Sequence, residues 1–372
     1  MVKTIGDACN ISTGKLDANQ AVKGGDYPFF TCAEFPEQID HYAFDGDVVL
    51  IAGNNARGNF HVSRYQGKFN AYQRTYVLTA KHGYDIDYIY YALRLELKRL
   101  REKSQGSQTK FLTMPILTSI SLGNLVETEQ STVSRVLKIL DKKIALNNRI
   151  NAELEAMAKT LYDYWFVQFD FPDANGKPYK TSGGKMVYNA TLKREIPAGW
   201  NIKNLGDIAE LYQPKTISGN DFIDDGEYLV YGANGIVGRF NKYNHEEPVV
   251  TITCRGNTCG NINVTRPYSW ITGNAMVVKP KFNYISPYYI YNLLSISEVD
   301  KVITGSAQPQ ITRANLAPLK VVEPAEDITQ KYSKSVDAFF KKHISILDEN
   351  DNLLKLRDWL LPLLMNGQVT VK

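Results

Sequence analysis

Glu129–Trp165 reads EQSTVSRVLKILDKKIALNNRINAELEAMAKTLYDYW. Within it Val133, Leu137, Leu140, Ile144, Asn147, Asn151, Leu154, Ala158, Leu161 and Trp165 follow one another in alternating steps of four and three. That spacing is a heptad seam, the pattern of a helix that packs along its length on another helix. No Gly or Pro interrupts the chain from Glu129 to Phe171. At the rise of an α-helix the stretch makes a rod of about 55 Å.

Such a rod needs a partner, and the C-terminal stretch supplies one. Tyr332, Ser335, Phe339, Lys342, Ile346, Glu349, Leu353, Leu356 and Leu360 form one seam, and Val336, Phe340, His343, Leu347, Asn350, Leu354 and Leu361 form a second. Two seams make a stripe wider than a two-helix coiled coil requires, so surface remains for other partners. Leu140, Ile144, Leu154, Leu161 and Trp165 on the first helix are the candidates for helix pairing and partner docking. Phe340, Leu347, Leu354 and Leu361 are their counterparts on the second. Asn147, Asn151 and Asn350 sit on the seams, where a polar residue lowers stability but penalises slipped pairings.

What flanks the helices repeats. The first copy opens on Lys3-Thr4-Ile5-Gly6-Asp7. It continues through a strand at Asp47–Ala52, a polar turn at Gly53–Asn59, a strand at Tyr76–Leu78 and a tyrosine-rich helix from Tyr88 to Lys103. A polar loop at Ser104–Lys110 and a strand from Ile116 to Leu122 lead into the rod. The second copy keeps the order. Trp200–Asp207 is followed by strands at Pro248–Ile252 and Ala275–Val278, with the turn Arg255–Asn261 between them. The helix Tyr288–Leu294, the loop Gly305–Ile311 and the strand Leu319–Val322 complete it. A repeat of about 200 residues is a duplicated domain-plus-helix unit rather than a solenoid. The expected class is α+β: two similar mixed α/β domains separated by a pair of long antiparallel coiled-coil helices, with an internal pseudo-two-fold. The expected limits are 1–125 for the first domain, 126–170 for the central helix, 171–197 for an extended linker, 198–323 for the second domain and 324–372 for the last helix.

The totals exclude several classes. Net charge is +4, with 23 tyrosines and four cysteines without C-x-x-C spacing. The charge is mildly basic and does not by itself indicate nucleic acid. Without an export signal or a membrane-length apolar run, the cysteines read as reduced thiols of a cytoplasmic protein. Gly14-Lys15 and Gly184-Lys185 lack the rest of a phosphate-binding loop, and the five histidines show no ligand spacing. Nothing assigns catalysis or a metal.

A duplicated unit on paired helices is a caliper with two reading heads, and duplex DNA is a linear ligand of matching geometry. A rod of this length spans roughly 16 base pairs. Base edges are read by Arg, Asn, Gln, Ser and Thr on loops. The first head offers Asn54, Asn55, Arg57, Asn59, Arg64, Gln73, Arg74, Gln105, Ser107, Gln108 and Lys110. The second offers Arg239, Arg255, Asn257, Thr258, Asn261, Arg266, Asn274, Ser306, Gln308 and Gln310. Matching scaffolds with different polar tips suit two heads that read different sequences. A two-headed scaffold joining two proteins is the alternative, and sequence-dependent DNA binding separates the two.

The chain resembles the specificity subunits of type I restriction–modification systems over essentially its whole length. The resemblance is carried by Leu161–Asp170 at the end of the central helix, by Ile196-Pro197-Ala198-Gly199-Trp200 with Leu205-Gly206-Asp207, by Arg255-Gly256-Asn257 with Gly260, and by Gly305-Ser306 with Gln308. The first copy departs from the pattern. It has no arginine before the turn glycine at Gly53-Asn54-Asn55, and Gln108 stands one place early. The resemblance implies two target-recognition domains that each read half of a bipartite DNA site, with conserved helices docking two modification subunits and then two restriction subunits. It also implies no catalysis in this chain, with S-adenosylmethionine, ATP and Mg2+ used by the partners.

Overall fold

The computed structural model describes residues 3–55, 60–103, 110–123, 125–305 and 308–370. Its helices are α1 (Ile5–Ala8), α2 (Ile86–Lys103), α3 (Met114–Thr118), α4 (Glu127–Tyr162), α5 (Leu205–Ile208), α6 (Pro287–Ile296), α7 (Arg313–Leu316) and α8 (Glu326–Met365). The chain forms two compact units, Met1–Leu146 with Glu349–Lys372, and Asn147–Asp348. The unit limits thus fall inside α4 and α8, because the core of each unit takes side chains from a part of both helices.

In the first unit six strands lie in the order Cys9–Thr13, Thr75–Ala80, Phe44–Ala52, Val62–Ala71, Tyr27–Phe30, Glu37–Ile39. Phe44–Ala52 sits centrally and is covered on both faces, which explains its unbroken apolar run from Val48 to Ala52. Val49 and Ile51 face α2, and Val48 and Leu50 face Phe30 and Phe69. The α2 face of the sheet shares its core with Val133 and Leu137 of α4 and with Leu361 and Leu364 of α8.

Polar contacts fix where α2 meets α4. The Asp85 carboxylate accepts from the Tyr88 N–H at 2.7 Å and from the Ser131 hydroxyl at 3.1 Å. Asp87 accepts from Arg64 at 2.8 Å and is bridged to Lys138. Burial pushes the Asp87 carboxyl up, but the Lys138 and Arg64 cations outweigh it and hold the group below its usual value. A carboxylate depressed in the fold contributes stability above its unfolded pKa, near 3.9, and loses it as pH falls through the lower folded value. Asp87→Asn is therefore expected to destabilise the first unit at pH 7 by about 1–3 kcal/mol and to flatten its stability profile below about pH 4. Chemical unfolding at pH 7 and pH 3 measures both. Equal losses at the two pH values would contradict the ion-pair role.

The second unit repeats the plan. Ala209–Tyr212, Ala275–Pro280, Val250–Thr253 and Ile262–Val264 form a four-stranded sheet. Gly235–Phe240, Tyr228–Gly232 and Trp270–Ile271 form a second, three-stranded one. The duplication extends to single hydrogen bonds. Asp7 accepts from the Thr4 N–H at 3.0 Å, and Asp207 from the Asn204 N–H at 2.9 Å. Lys81 donates to Gly6 O, and Lys281 to Gly206 O. Gly6 and Gly206 each sit against a neighbour about which a Cβ would be tight, Thr118 and Ala317 respectively.

Three expectations change. Ile116–Leu122 is not one strand: Pro115 starts the short helix α3, where its missing N–H costs nothing, and only Ser121–Gly123 is extended. Residues 171–197 are more than a linker, because Met186–Asn189 and Arg194–Pro197 form a hairpin. Phe171 and Ile196 also enter the core, with Phe171 stacked on Trp200 at 4.9 Å. The regular α-helix of the rod ends at Tyr162 and continues as a π-turn over Asp163–Val167, so Trp165 leaves the seam and enters the core of the second unit. On α8 both seams contribute to the interior. Val336, Phe340, Asn350 and Leu361 of the second are buried, and so are Tyr332 and Ile346 of the first, whose Ser335, Lys342, Glu349 and Leu356 are exposed. Asn147, Asn151 and Asn350 are all buried, as polar seam positions require.

Candidate nucleic-acid interface

In the second unit the turn after Val250–Thr253 meets the loop before α7. Arg255 forms a β-bridge with Gln310, and Gln310 another with Thr304. The Gly256 N–H donates to Pro309 O at 3.2 Å, and the Ile311 N–H to Cys254 O at 2.9 Å. Gly256 and Gly260 have φ of 86° and 94°, a left-handed backbone that only glycine takes without strain and that lets the turn fold back twice. The Cys254 N–H donates to Asn274 O at 3.1 Å, and the Thr258 hydroxyl reaches Ala233 O at 3.4 Å. Three separate segments thus converge, bringing together Arg255, Asn257, Thr258, Asn274, Gln308 and Gln310. All are exposed except the half-buried Thr258. Asn261 stands exposed at the end of the same turn.

The same construction appears in the first unit. The Gly53 N–H donates to Arg74 O at 2.7 Å, and the Leu112 N–H to Gly53 O at 2.9 Å. Asn54 and Asn55 pair with Phe111 and Lys110 through the backbone. Asn54, Gln73 and Arg74 therefore stand together, and the last two are exposed. Phe111 joins them with its side chain 56% exposed. In sequence alone an aromatic in a short apolar stretch has the signature of a core residue. Arg57, Asn59, Gln105, Ser107, Gln108 and Ser306 lie outside the described residues.

Three arginines from the candidate set do other work. Arg64 donates to Asp87 and to the carbonyls of Val48 and Tyr65, and pairs with Asp47. Arg239 donates to Gly226 O at 2.9 Å and to Glu227 O at 3.3 Å. Arg266 pairs with Asp348 of α8 at 3.1 Å. Each is half-buried with its guanidinium turned toward the protein, so we leave these three out of the proposed surface.

The helix candidates divide as well. Trp165, Phe340 and Leu361 are buried in the chain's own cores, while Leu140, Ile144, Leu154, Leu161, Leu347 and Leu354 are half-buried. The exposed apolar side chains are others. On α4 they are Ile139 and Leu146 in the first unit and Ile150 and Met157 in the second. On α8 they include Leu356 and Trp359, the latter 63% exposed. Residues 139, 146, 150 and 157 themselves recur at heptad spacing, a signal overshadowed by the stronger seam beside it.

Among the described residues no group of three His, Cys, Asp or Glu is placed to hold a metal, and no helix is long and apolar enough to cross a membrane. Burial pushes the thiols of Cys254 and Cys259 up, away from the thiolate form that binds metal or reacts. The exposed chemistry is that of neutral amides, hydroxyls and isolated guanidinium groups on rigid turns. Such groups recognise planar hydrogen-bonding edges.

A family model described as the type I restriction modification DNA specificity domain matches residues 1–156 and again 197–356. The specificity subunit of the type I restriction enzyme EcoDI of Escherichia coli is 40% identical over 157 residues, covering 42% of this chain and 34% of that one. The match therefore spans about a third of that relative's length. The MjaIX specificity subunit of Methanocaldococcus jannaschii is 24% identical over 323 residues, 78% of this chain and 71% of its own. The crystal structure of a type I restriction–modification S subunit from M. genitalium shares the fold, with a TM-score of 0.60 at 18% identity over 98% of this chain and 95% of that one. The duplicated heads, each with the same turn-and-loop construction, are the two matched copies, and the chain belongs to the type I restriction–modification DNA specificity family.

Proposed function

We propose that this chain selects the DNA sequence on which a type I methyltransferase and restriction complex acts, each head reading one half of a bipartite site. The observation that carries the reading is the pair of exposed polar clusters, built at equivalent turns in both copies of the family domain. Two backbone hydrogen bonds and one strand pairing recur at equivalent positions of the two scaffolds, while their side chains differ. The long helices, paired antiparallel, carry the two heads. Methylation of adenine with S-adenosylmethionine, and ATP- and Mg2+-dependent translocation and cleavage, belong to two modification and two restriction subunits, and this chain catalyses none of them.

The test offers a random-sequence duplex library to the full-length chain in complex with its modification subunits. Two short fixed tracts around an unread spacer are expected. A complex that retains every sequence equally would contradict the reading.

The exposed apolar face of α4 supplies the docking surface for the modification subunits. A charge placed there loses apolar burial and leaves a desolvated ion at the contact. Leu146→Asp and Met157→Asp are expected to weaken co-purification with the modification subunit at least tenfold while leaving the chain's own thermal transition in place, because both side chains are exposed. Full co-purification of the double variant would place the docking surface elsewhere.

A further inference from the structure

The two heads can be compared position by position, because the same hydrogen bonds tie the same three segments. Gly53 N–H to Arg74 O corresponds to Cys254 N–H to Asn274 O, and Leu112 N–H to Gly53 O corresponds to Ile311 N–H to Cys254 O. The pairs Asn54↔Phe111 and Arg255↔Gln310 complete the match. Arg74 therefore stands where the second head has Asn274, and Asn54 where it has Arg255. Arginine and asparagine have exchanged places.

Arg74 is set up differently from Arg64 nearby. Among the described residues no carboxylate lies within ion-pairing distance of it, whereas Arg64 holds two. Its guanidinium lies over the Phe111 ring, 6.0 Å from the centroid. A planar guanidinium resting on an aromatic face is held in orientation while its N–H edges stay available. An exposed phenyl ring is costly to hydrate, and here it supports an arginine beside the convergent turns.

We propose that Arg74, held on Phe111, is the guanine-type base reader of the first head, the part that Arg255 takes in the second. The chemistry is the two-toothed match of a guanidinium to guanine O6 and N7, whereas an asparagine at the same place matches adenine N6 and N7. The inference rests on the DNA-reading function proposed above. It adds which residue reads, and that each head places its arginine on a different segment of one scaffold.

The random-library selection is repeated with Arg74→Lys, Arg74→Gln and Phe111→Ala in the full-length chain within its complex. Lysine keeps the charge and loses the fork. Arg74→Lys is expected to lower preference at one position of one half-site by about tenfold or more, with the other half-site unchanged. Arg74→Gln is expected to move that position away from guanine. Phe111→Ala is expected to weaken the same position by roughly two- to fivefold. A wild-type complex that enriches a motif which Arg74→Lys leaves intact overturns this inference alone. Uniform weakening across both half-sites also overturns it, since that is the behaviour of a phosphate contact. A wild-type complex that enriches no motif overturns the functional reading and the inference with it.

Discussion

Tyr332→Ala is expected to destabilise the second unit by about 3–5 kcal/mol, the cost of deleting a buried aromatic side chain. Tyr332 is fully buried in α8, amid the rings of Tyr162, Trp165, Phe166 and Tyr289 at centroid distances of 5.7, 5.8, 4.9 and 6.0 Å. Its hydroxyl donates to Ala158 O of α4 at 3.2 Å and accepts from the Asn292 side chain of α6 at 3.2 Å. One side chain thus ties α4, α6 and α8 together inside this unit. Burial drives its hydroxyl above the usual tyrosine range. Tyr332→Phe keeps the ring but removes one partner from the Asn292 amide, which still donates to Tyr288 O at 2.9 Å, and one from the Ala158 carbonyl, an expected loss of about 0.5–1.5 kcal/mol. Trp165 and Trp200 lie in the same cluster, so their emission during chemical unfolding reports the midpoint. A loss below about 1 kcal/mol for Tyr332→Ala would contradict the packing.

Arg255→Ala carries the second large effect. Arg255 is exposed, its backbone is fixed by the bridge to Gln310, and the turn around it is closed by glycines in the left-handed region. Its guanidinium is thus presented from a rigid base, the condition under which a two-toothed contact to a base discriminates well. On the proposed function, its loss is expected to relax one position of the second half-site by about 1–3 kcal/mol, roughly 5- to 150-fold. The first half-site should be untouched. Gln308→Ala, on the adjoining loop, should act on the same half-site with smaller effect. Competition binding with duplexes changed one base pair at a time separates the outcomes. Equal loss for changes in either half-site would contradict independent heads.

The long helices were legible because a heptad needs only residue spacing, and Val133, Leu137 and Ala158 are buried as that spacing requires. The duplication was legible too, because its echoes fall on turns and caps whose residue types are chemically constrained, such as the Asp7 and Asp207 boxes. The hairpin at 186–197 was hidden because the stretch leading into it, Asp170–Lys185, is rich in Gly, Pro, Lys and Asp and reads as a linker until Phe171 and Ile196 are seen in the core. Ile116–Leu122 failed because a short apolar run does not distinguish a strand from a buried helical turn.

In the site, spacing identified the loops but not the direction of each side chain. Arg64, Arg239 and Arg266 sit among candidate residues in sequence, yet each is turned inward by a carboxylate or carbonyl brought from a distant segment. Phe111 shows the converse. It lies in a strand pair, and only the approach of Arg74 over its ring marks it as part of the surface.

The most direct test is a genome-wide map of methylated adenine in cells carrying this chain with its modification subunit, against the same cells lacking only this chain. The account predicts one bipartite motif, two fixed tracts around an unread spacer, present in the first cells and absent from the second. Methylation at the same sites in both, with the modification subunit active, would contradict it.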